Sequence, residues 1–216
     1  MTEKYLSIIT NFGCHFQCPY CISKNTGIAV PKTTIEGLDN LTAAVRQTGA
    51  TIVSISGGGD PMYDYRDNVD WWSKLFEWSW DTGVLLELHT SYINDDLPYG
   101  KFERVVYHCR QPSDMYYIKR QCIETIRVVF VVTQDYTPEL INDIWTIKKY
   151  HPCIDELSFR QMVDKDYNAT TYCQDYLREG HKKRWWYIEQ DDYNTYYVNG
   201  KIYHRFADIG KEEEKV

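Results

Sequence analysis

The sequence predicts an α/β fold, a partial (β/α)6 barrel of parallel strands that ends in a C-terminal β-hairpin. Three observations lead there. Apolar, β-branched runs alternate with helix-like segments along most of the chain, which is the pattern of parallel strand–helix units. At 216 residues the chain falls short of the roughly 250 that eight such units need. The aromatic-rich C-terminal region breaks the alternation and carries Val198-Asn199-Gly200-Lys201, a strong hairpin signal. The expected organisation is one domain, with residues 1–165 as barrel and residues 166–216 as an appendage.

The elements follow in order. A first strand is expected near 4–10 and leads into a cysteine-rich loop. A helix is expected over 34–48, with Thr33 and Glu36 at capping-box spacing and Gly49 as its stop. The second strand lies near 51–56. Residues 66–81 read as a Trp-rich helix that packs the core and exposes some of its aromatic surface. Strands follow at 84–89 and 104–108, then a helix near 113–122 and a fifth strand at 125–132. Thr137-Pro138 opens the next helix, with Thr as N-cap and Pro in the first turn. The sixth strand is 156–160. The hairpin flanks are Tyr193–Val198 and Lys201–Phe206, and the tail 211–216 is expected to be frayed and solvated.

Composition narrows the function. A net charge of −7 and a pI near 5.4 suit no binder of duplex nucleic acid, whose affinity rests on phosphate neutralisation. The strongest apolar run, Val128–Val132, is far too short to span a membrane, and the N-terminus lacks signal-peptide character. Seven cysteines, an odd number, argue against a disulfide framework and for a reducing, cytoplasmic setting.

The chemistry is concentrated in Cys14-His-Phe-Gln-Cys18-Pro-Tyr-Cys21, a C-x3-C-x2-C loop directly after the first strand. Three thiolates on one loop can hold three corners of a [4Fe–4S] cluster and leave the fourth iron open for chemistry. The competing reading is zinc, with His15 as fourth ligand. It is disfavoured by the lack of a second C-x2-C pair and by the crowding of His15 against Cys14. A second motif, Gly57-Gly58-Gly59-Asp60-Pro61, ends the second strand. Glycines there let backbone groups approach a polar ligand closely, although taken alone the triplet reads as a tight turn.

Together these motifs resemble the signatures of the radical S-adenosylmethionine (SAM) superfamily: C-x3-C-x2-C with an aromatic, here Tyr20, before the last cysteine, and a Gly-Gly-Glu-Pro turn after the second strand. Asp60 stands where that turn has Glu. The resemblance covers residues 4 to 165. It implies that Cys14, Cys18 and Cys21 ligate three irons and that SAM chelates the fourth. The turn from Gly57 to Pro61 would hold the SAM amine, and Tyr20 would lie against the adenine. It further implies reductive cleavage of SAM to a 5′-deoxyadenosyl radical that abstracts hydrogen from a substrate, with electrons from a donor such as flavodoxin or ferredoxin.

Ligands of parallel barrels bind at the C-terminal ends of the strands, so strand-end residues become candidates. Thr90 and Ser91 are candidates for the SAM carboxylate or ribose, His108 for the ribose, and Thr133 and Met162 for the adenine. Arg160, beside Gln161, could grip a carboxylate or phosphate, or else pair with Asp155 or Glu156. His89 either faces the site or is a core histidine. Cys109 could return a hydrogen atom to a substrate radical; Cys122, Cys153 and Cys173 read as small buried hydrophobes. One cluster is expected. The substrate is expected to be a small molecule, such as a nucleoside- or pterin-like heterocycle. Activation of a glycyl-radical enzyme and modification of a peptide are the alternatives, and the absence of an N-terminal peptide-binding extension weighs against the latter. A non-enzymatic Fe–S accessory or sensor protein is the remaining possibility.

Overall fold

The computed structural model describes residues 3–190 and 195–211. Nine strands form one sheet: β1 (Tyr5–Thr10), β2 (Ile52–Gly57), β3 (Leu85–Thr90), β4 (Arg104–Cys109), β5 (Thr125–Val132), β6 (Glu156–Gln161), β7 (Trp186–Ile188), β8 (Thr195–Val198) and β9 (Lys201–Tyr203). Their spatial order is β7-β6-β5-β4-β3-β2-β1-β8-β9, and every pair is parallel except β8–β9. The helices are α1 (Ile22–Asn25), α2 (Leu41–Thr48), α3 (Val69–Thr82), α4 (Pro138–Tyr150) and α5 (Gln174–Gly180).

All six expected strands form. The helices depart more from expectation. The predicted helix over 34–48 divides into a single 3₁₀ turn, Glu36–Leu38, and α2. Thr33 caps neither; its hydroxyl instead accepts the Asn11 N–H at 2.7 Å, tying this segment to the cysteine loop. Gly49 does end α2, in the left-handed conformation with φ 66°. The helix expected at 113–122 reduces to a 3₁₀ turn, Pro112–Tyr117. Only Met115 within it is buried, so no apolar stripe rewards a longer helix. The β3–β4 crossover likewise holds only a 3₁₀ turn, Tyr99–Lys101.

The C-terminal region adds strands at both ends of the sheet. β7 was not foreseen; three residues that begin at Trp186 extend the parallel order beyond β6. The hairpin forms at Asn199-Gly200, both with positive φ as a tight hairpin turn requires. Its first strand pairs in parallel with β1. Asn199 fastens it by donating to the Lys32 carbonyl (2.6 Å) and accepting the Thr34 N–H (3.2 Å). Residues 193 and 194 of the predicted flank, and residues 212–216 of the tail, lie outside the described residues.

The two faces of the sheet differ. Toward the helices, Leu6, Val53, Ile55, Leu88, Val105, Val128, Phe130 and Phe159 join Trp71, Trp72, Leu75, Ile141 and Ile144 in the main core. The opposite, inner face carries Ser7, Ser54, Glu87, His89, Arg104, Arg127, Glu156 and Arg160. This face is strongly curved. Arg104 of β4 donates to the Tyr5 hydroxyl of β1 at 3.0 Å, and its Nε lies 3.7 Å from Glu156 of β6. Pairing ends at β7 and β9, with no closing ladder among the described residues. On α3, Trp80 is exposed, as the aromatic spill-over predicted.

Candidate active site

The cysteine loop, ending at Cys21, and the glycine turn, beginning at Gly57, are built into one another. β1 and β2 run side by side in register, so both motifs leave the sheet at the same end. The Gly58 N–H donates to the Thr10 carbonyl at 2.6 Å, and the Asp60 N–H donates to the Gly13 carbonyl at 2.7 Å. A Cβ on Gly59 would stand 2.0 Å from the Gly13 oxygen, so only glycine permits this approach. Gly13 itself has φ 98°.

Beyond Gly13 the loop is held by its own backbone. Cys21 N–H donates to the Cys18 carbonyl (3.1 Å), and Cys21 leads into the short α1. Lys24 and Asn25 reach back to the carbonyls of Phe16 (2.7 Å) and Pro19 (2.6 Å). Cys14 Sγ accepts the Phe16 N–H at 3.4 Å. All three thiols are free and half-buried. Burial raises the Cys14 pKa, as do Asp60 and Cys21. Burial also raises that of Cys18, together with Cys14 and Cys21, against a hydrogen bond from Tyr20 and the charge of Arg110. The three thiols share one neighbourhood, and a bound cation would favour the thiolates of Cys14 and Cys18 against the effect of burial.

Among the described residues, no three Cys, His, Asp or Glu side chains are gathered so as to hold a metal ion. That gathering is what a single tetrahedral ion requires. A cubic cluster spreads its thiolates over separate irons, and three soft thiols on one loop fit it. His15 is taken up elsewhere. Its ring stacks on Tyr63 (centroids 5.6 Å apart), meets Tyr92 edge-on and contacts Phe16.

The remaining candidates are placed as follows. Asp60 is buried, and its carboxylate is saturated. Oδ1 accepts from Thr90 Oγ1 (2.7 Å) and Met62 N (3.0 Å), and Oδ2 accepts from Ser91 N and Ser91 Oγ (2.6 Å each). This charge-assisted knot ties the glycine turn to the end of β3 and occupies the Thr90 and Ser91 hydroxyls. Burial, and then the neighbouring Cys18, raise the Tyr20 pKa. His108 lies on the inner face, its Nε2 3.2 Å from His89 Nδ1, while His89 Nε2 lies 2.8 Å from Glu87 Oε1. Cys109 points the other way, into the main core, where burial raises its pKa strongly. Thr133 opens the turn after β5. The Met162 carbonyl accepts both the backbone and the hydroxyl of Thr170. Neither acid considered as a partner for Arg160 pairs with it: Asp155 is bound by Arg120 at 2.8 Å, and Glu156 by Arg127 at 2.7 Å.

Arg110 and the aromatic wall escaped the sequence reading. The Arg110 guanidinium sits 3.4 Å over the Phe16 ring and is the cation nearest Cys18 and Tyr20 in effect. Its position just past β4 was the available signal. Tyr63 and Tyr92 line a cavity of about 280 Å³ beside the loop, together with Met62, Asp64 and Leu97.

No protein-family profile matches the chain, and no curated protein does. Solved structures do. One is SuiB of Streptococcus suis bound to its precursor peptide SuiA, with a TM-score of 0.65 over 99% of this chain at 13% identity. The chain shares SuiB's fold. It spans 62% of SuiB's length. The likeness agrees with a radical SAM-like α/β fold, the one the two motifs imply. Among the described residues no helix is long and apolar enough to cross a membrane.

Proposed function

We propose that this chain is a radical SAM enzyme. The observation that carries the reading is the joint between its two motifs, in which the glycine turn seats on Gly13 at the base of the cysteine loop. In this reading Cys14, Cys18 and Cys21 hold a [4Fe–4S] cluster, and the backbone of Gly57–Gly59 holds the SAM amine and carboxylate. When bound, the cluster would supply the electron for reductive cleavage of SAM, the chemistry that would start hydrogen abstraction from the substrate.

The protein's own residues prepare that event. Asp60 fixes the turn from below through Thr90 and Ser91, and so positions rather than contacts the ligand. Arg110 and the Tyr20 hydroxyl favour the Cys18 thiolate. Phe16, His15, Tyr63 and Tyr92 wall the loop with rings and reduce the access of water. Arg160 and His108 stand on the inner face, below the strand ends. Two substrate classes remain in play, a small molecule and a peptide. The fold shared with SuiB, captured with its precursor peptide, favours the peptide.

Anaerobic reconstitution with iron and sulfide, reduction, and addition of SAM tests the reading by mass spectrometry of 5′-deoxyadenosine. Wild type should incorporate about four irons per chain and yield 5′-deoxyadenosine. Cys18→Ala should do neither. A wild-type protein that binds one zinc and leaves SAM intact overturns the proposal.

A further inference from the structure

Among the described residues, Arg160 is a cation with no acidic partner. It leaves β6 on the inner face, opposite core-facing Phe159. Its register neighbours are apolar, Val131 on β5 and Ile188 on β7. The two nearest acids in sequence are engaged by Arg120 and Arg127. The Arg160 Nε is buried and has no hydrogen-bond partner. Two residues earlier on the same face, the hydroxyl of Ser158 is also buried and unpartnered. Ser158 shares a cross-strand row with Val129 and His108.

His108, neutral or cationic at any accessible pH, supplies no negative charge to Arg160. Burial, His89 and Arg160 all hold its pKa well below the ordinary histidine value, so it stays neutral. Its ring is fixed by the chain His108–His89–Glu87. Burial lowers the Arg160 pKa, and the Tyr196 phenol of β8, from the far end of the sheet, acts against that by charge. Arg160 keeps partial contact with solvent, so the spot is reachable. A buried guanidinium Nε and a buried hydroxyl, both without a partner, cost stability unless an acceptor completes them. What completes them is an oxyanion, which guanidinium binds with two parallel N–H donors.

We propose that Arg160 and Ser158, beside His108, form a substrate subsite on the inner face that takes an oxyanion, a carboxylate or a phosphate. This deepens the proposed function and rests on it only for calling the bound molecule a substrate. In a peptide substrate the group would be an acidic side chain or a C-terminal carboxylate.

The test uses the full chain without cluster or SAM, so its outcome is independent of SAM cleavage. Thermal unfolding is followed at constant ionic strength while chloride is exchanged for acetate or for inorganic phosphate. Wild type should gain roughly 2–4 °C, saturably, at about five times the dissociation constant. The anion that acts distinguishes carboxylate from phosphate. Arg160→Met should show no saturable gain, and without either anion should melt above wild type, because an unpaired buried charge has been removed. A saturable shift of the Arg160 Nε–Hε resonance in wild type, assigned by its loss in Arg160→Lys, checks the site without relying on the Met variant. No saturable response in wild type, an equal response in Arg160→Met, or a lower melting temperature for Arg160→Met in chloride would overturn the proposal.

Discussion

The two faces of this sheet are made by the same strands and do opposite work. On β6, Leu157 and Phe159 enter the main core while Glu156, Ser158 and Arg160 enter the inner face. On β3, Leu86 and Leu88 alternate with Glu87 and His89 in the same way. Sheets covered by helices on both faces have strands that read as continuous apolar runs. Here only β5, the run Ile126–Val132, approaches that pattern. The alternation elsewhere means that one face supplies cohesion and the other holds polar groups, most of them paired and two of them, on Ser158 and Arg160, not. The difference teaches where substitution is costly, and why.

Neighbouring residues of β6 give the sharpest break. Phe159→Ala should cost roughly 3–5 kcal/mol in urea unfolding, because the ring is fully buried against Trp185 and Phe130. Ser158→Ala, one residue away, should stay within about 0.5 kcal/mol, since it removes a buried hydroxyl that has no partner. Equal costs at the two positions would erase the distinction between the faces.

On the inner face the expensive change is to break a pair. Arg104 serves Glu87 at 2.9 Å and Glu156 at 3.7 Å. Arg104→Met should cost about 1–3 kcal/mol by leaving the buried Glu87 with only His89, and adding Glu87→Gln should recover part of that loss. If the double variant is no better than the single one, the pair is not coupled.

The same pair predicts acid sensitivity. Burial alone would raise the Glu87 pKa, but His89 and Arg104 outweigh it and hold it down at about 2, against an ordinary 4.5. A depressed carboxylate stabilises the fold above its unfolded pKa and loses that contribution as pH falls toward its folded one. Between about pH 4.5 and 2, wild type should lose up to ~3 kcal/mol through this group. Glu87→Gln should flatten that segment of the pH–stability curve. The smallest effect belongs to neither face. Trp80 on α3 is exposed to 88%, so Trp80→Ser should change stability by no more than about 0.5 kcal/mol.

Much of this was legible in the chain. The six parallel strands, the N-cap at Thr137, the stop at Gly49 and the Asn199-Gly200 turn all depend on neighbours within a few residues. Local chemistry decides them, so local reading finds them. The shortfalls at 34–48 and 113–122 are long-range effects. Thr33 prefers Asn11, across 22 residues, to a helix end. The segment after Pro112 buries Met115 and Ile118 in the main core with no more than a 3₁₀ turn.

The candidate site divides along the same line. By itself, the sequence determined the order and spacing of the cysteines and glycines, and the strand ends from which each motif leaves. It also determined the alternation that separates the two faces, because side-chain direction repeats every two residues along a strand. Only the tertiary structure decided that Gly59 must press on the Gly13 carbonyl, and that Asp60 spends its carboxylate on Thr90 and Ser91. It also decided that Arg110 covers Phe16, and that Asp155 and Glu156, the acids nearest Arg160 in sequence, pair with other arginines. Each of those depends on groups brought together from distant parts of the chain by sheet order and curvature. Register and curvature are set by the packing of the whole sheet, which no local run of residues encodes.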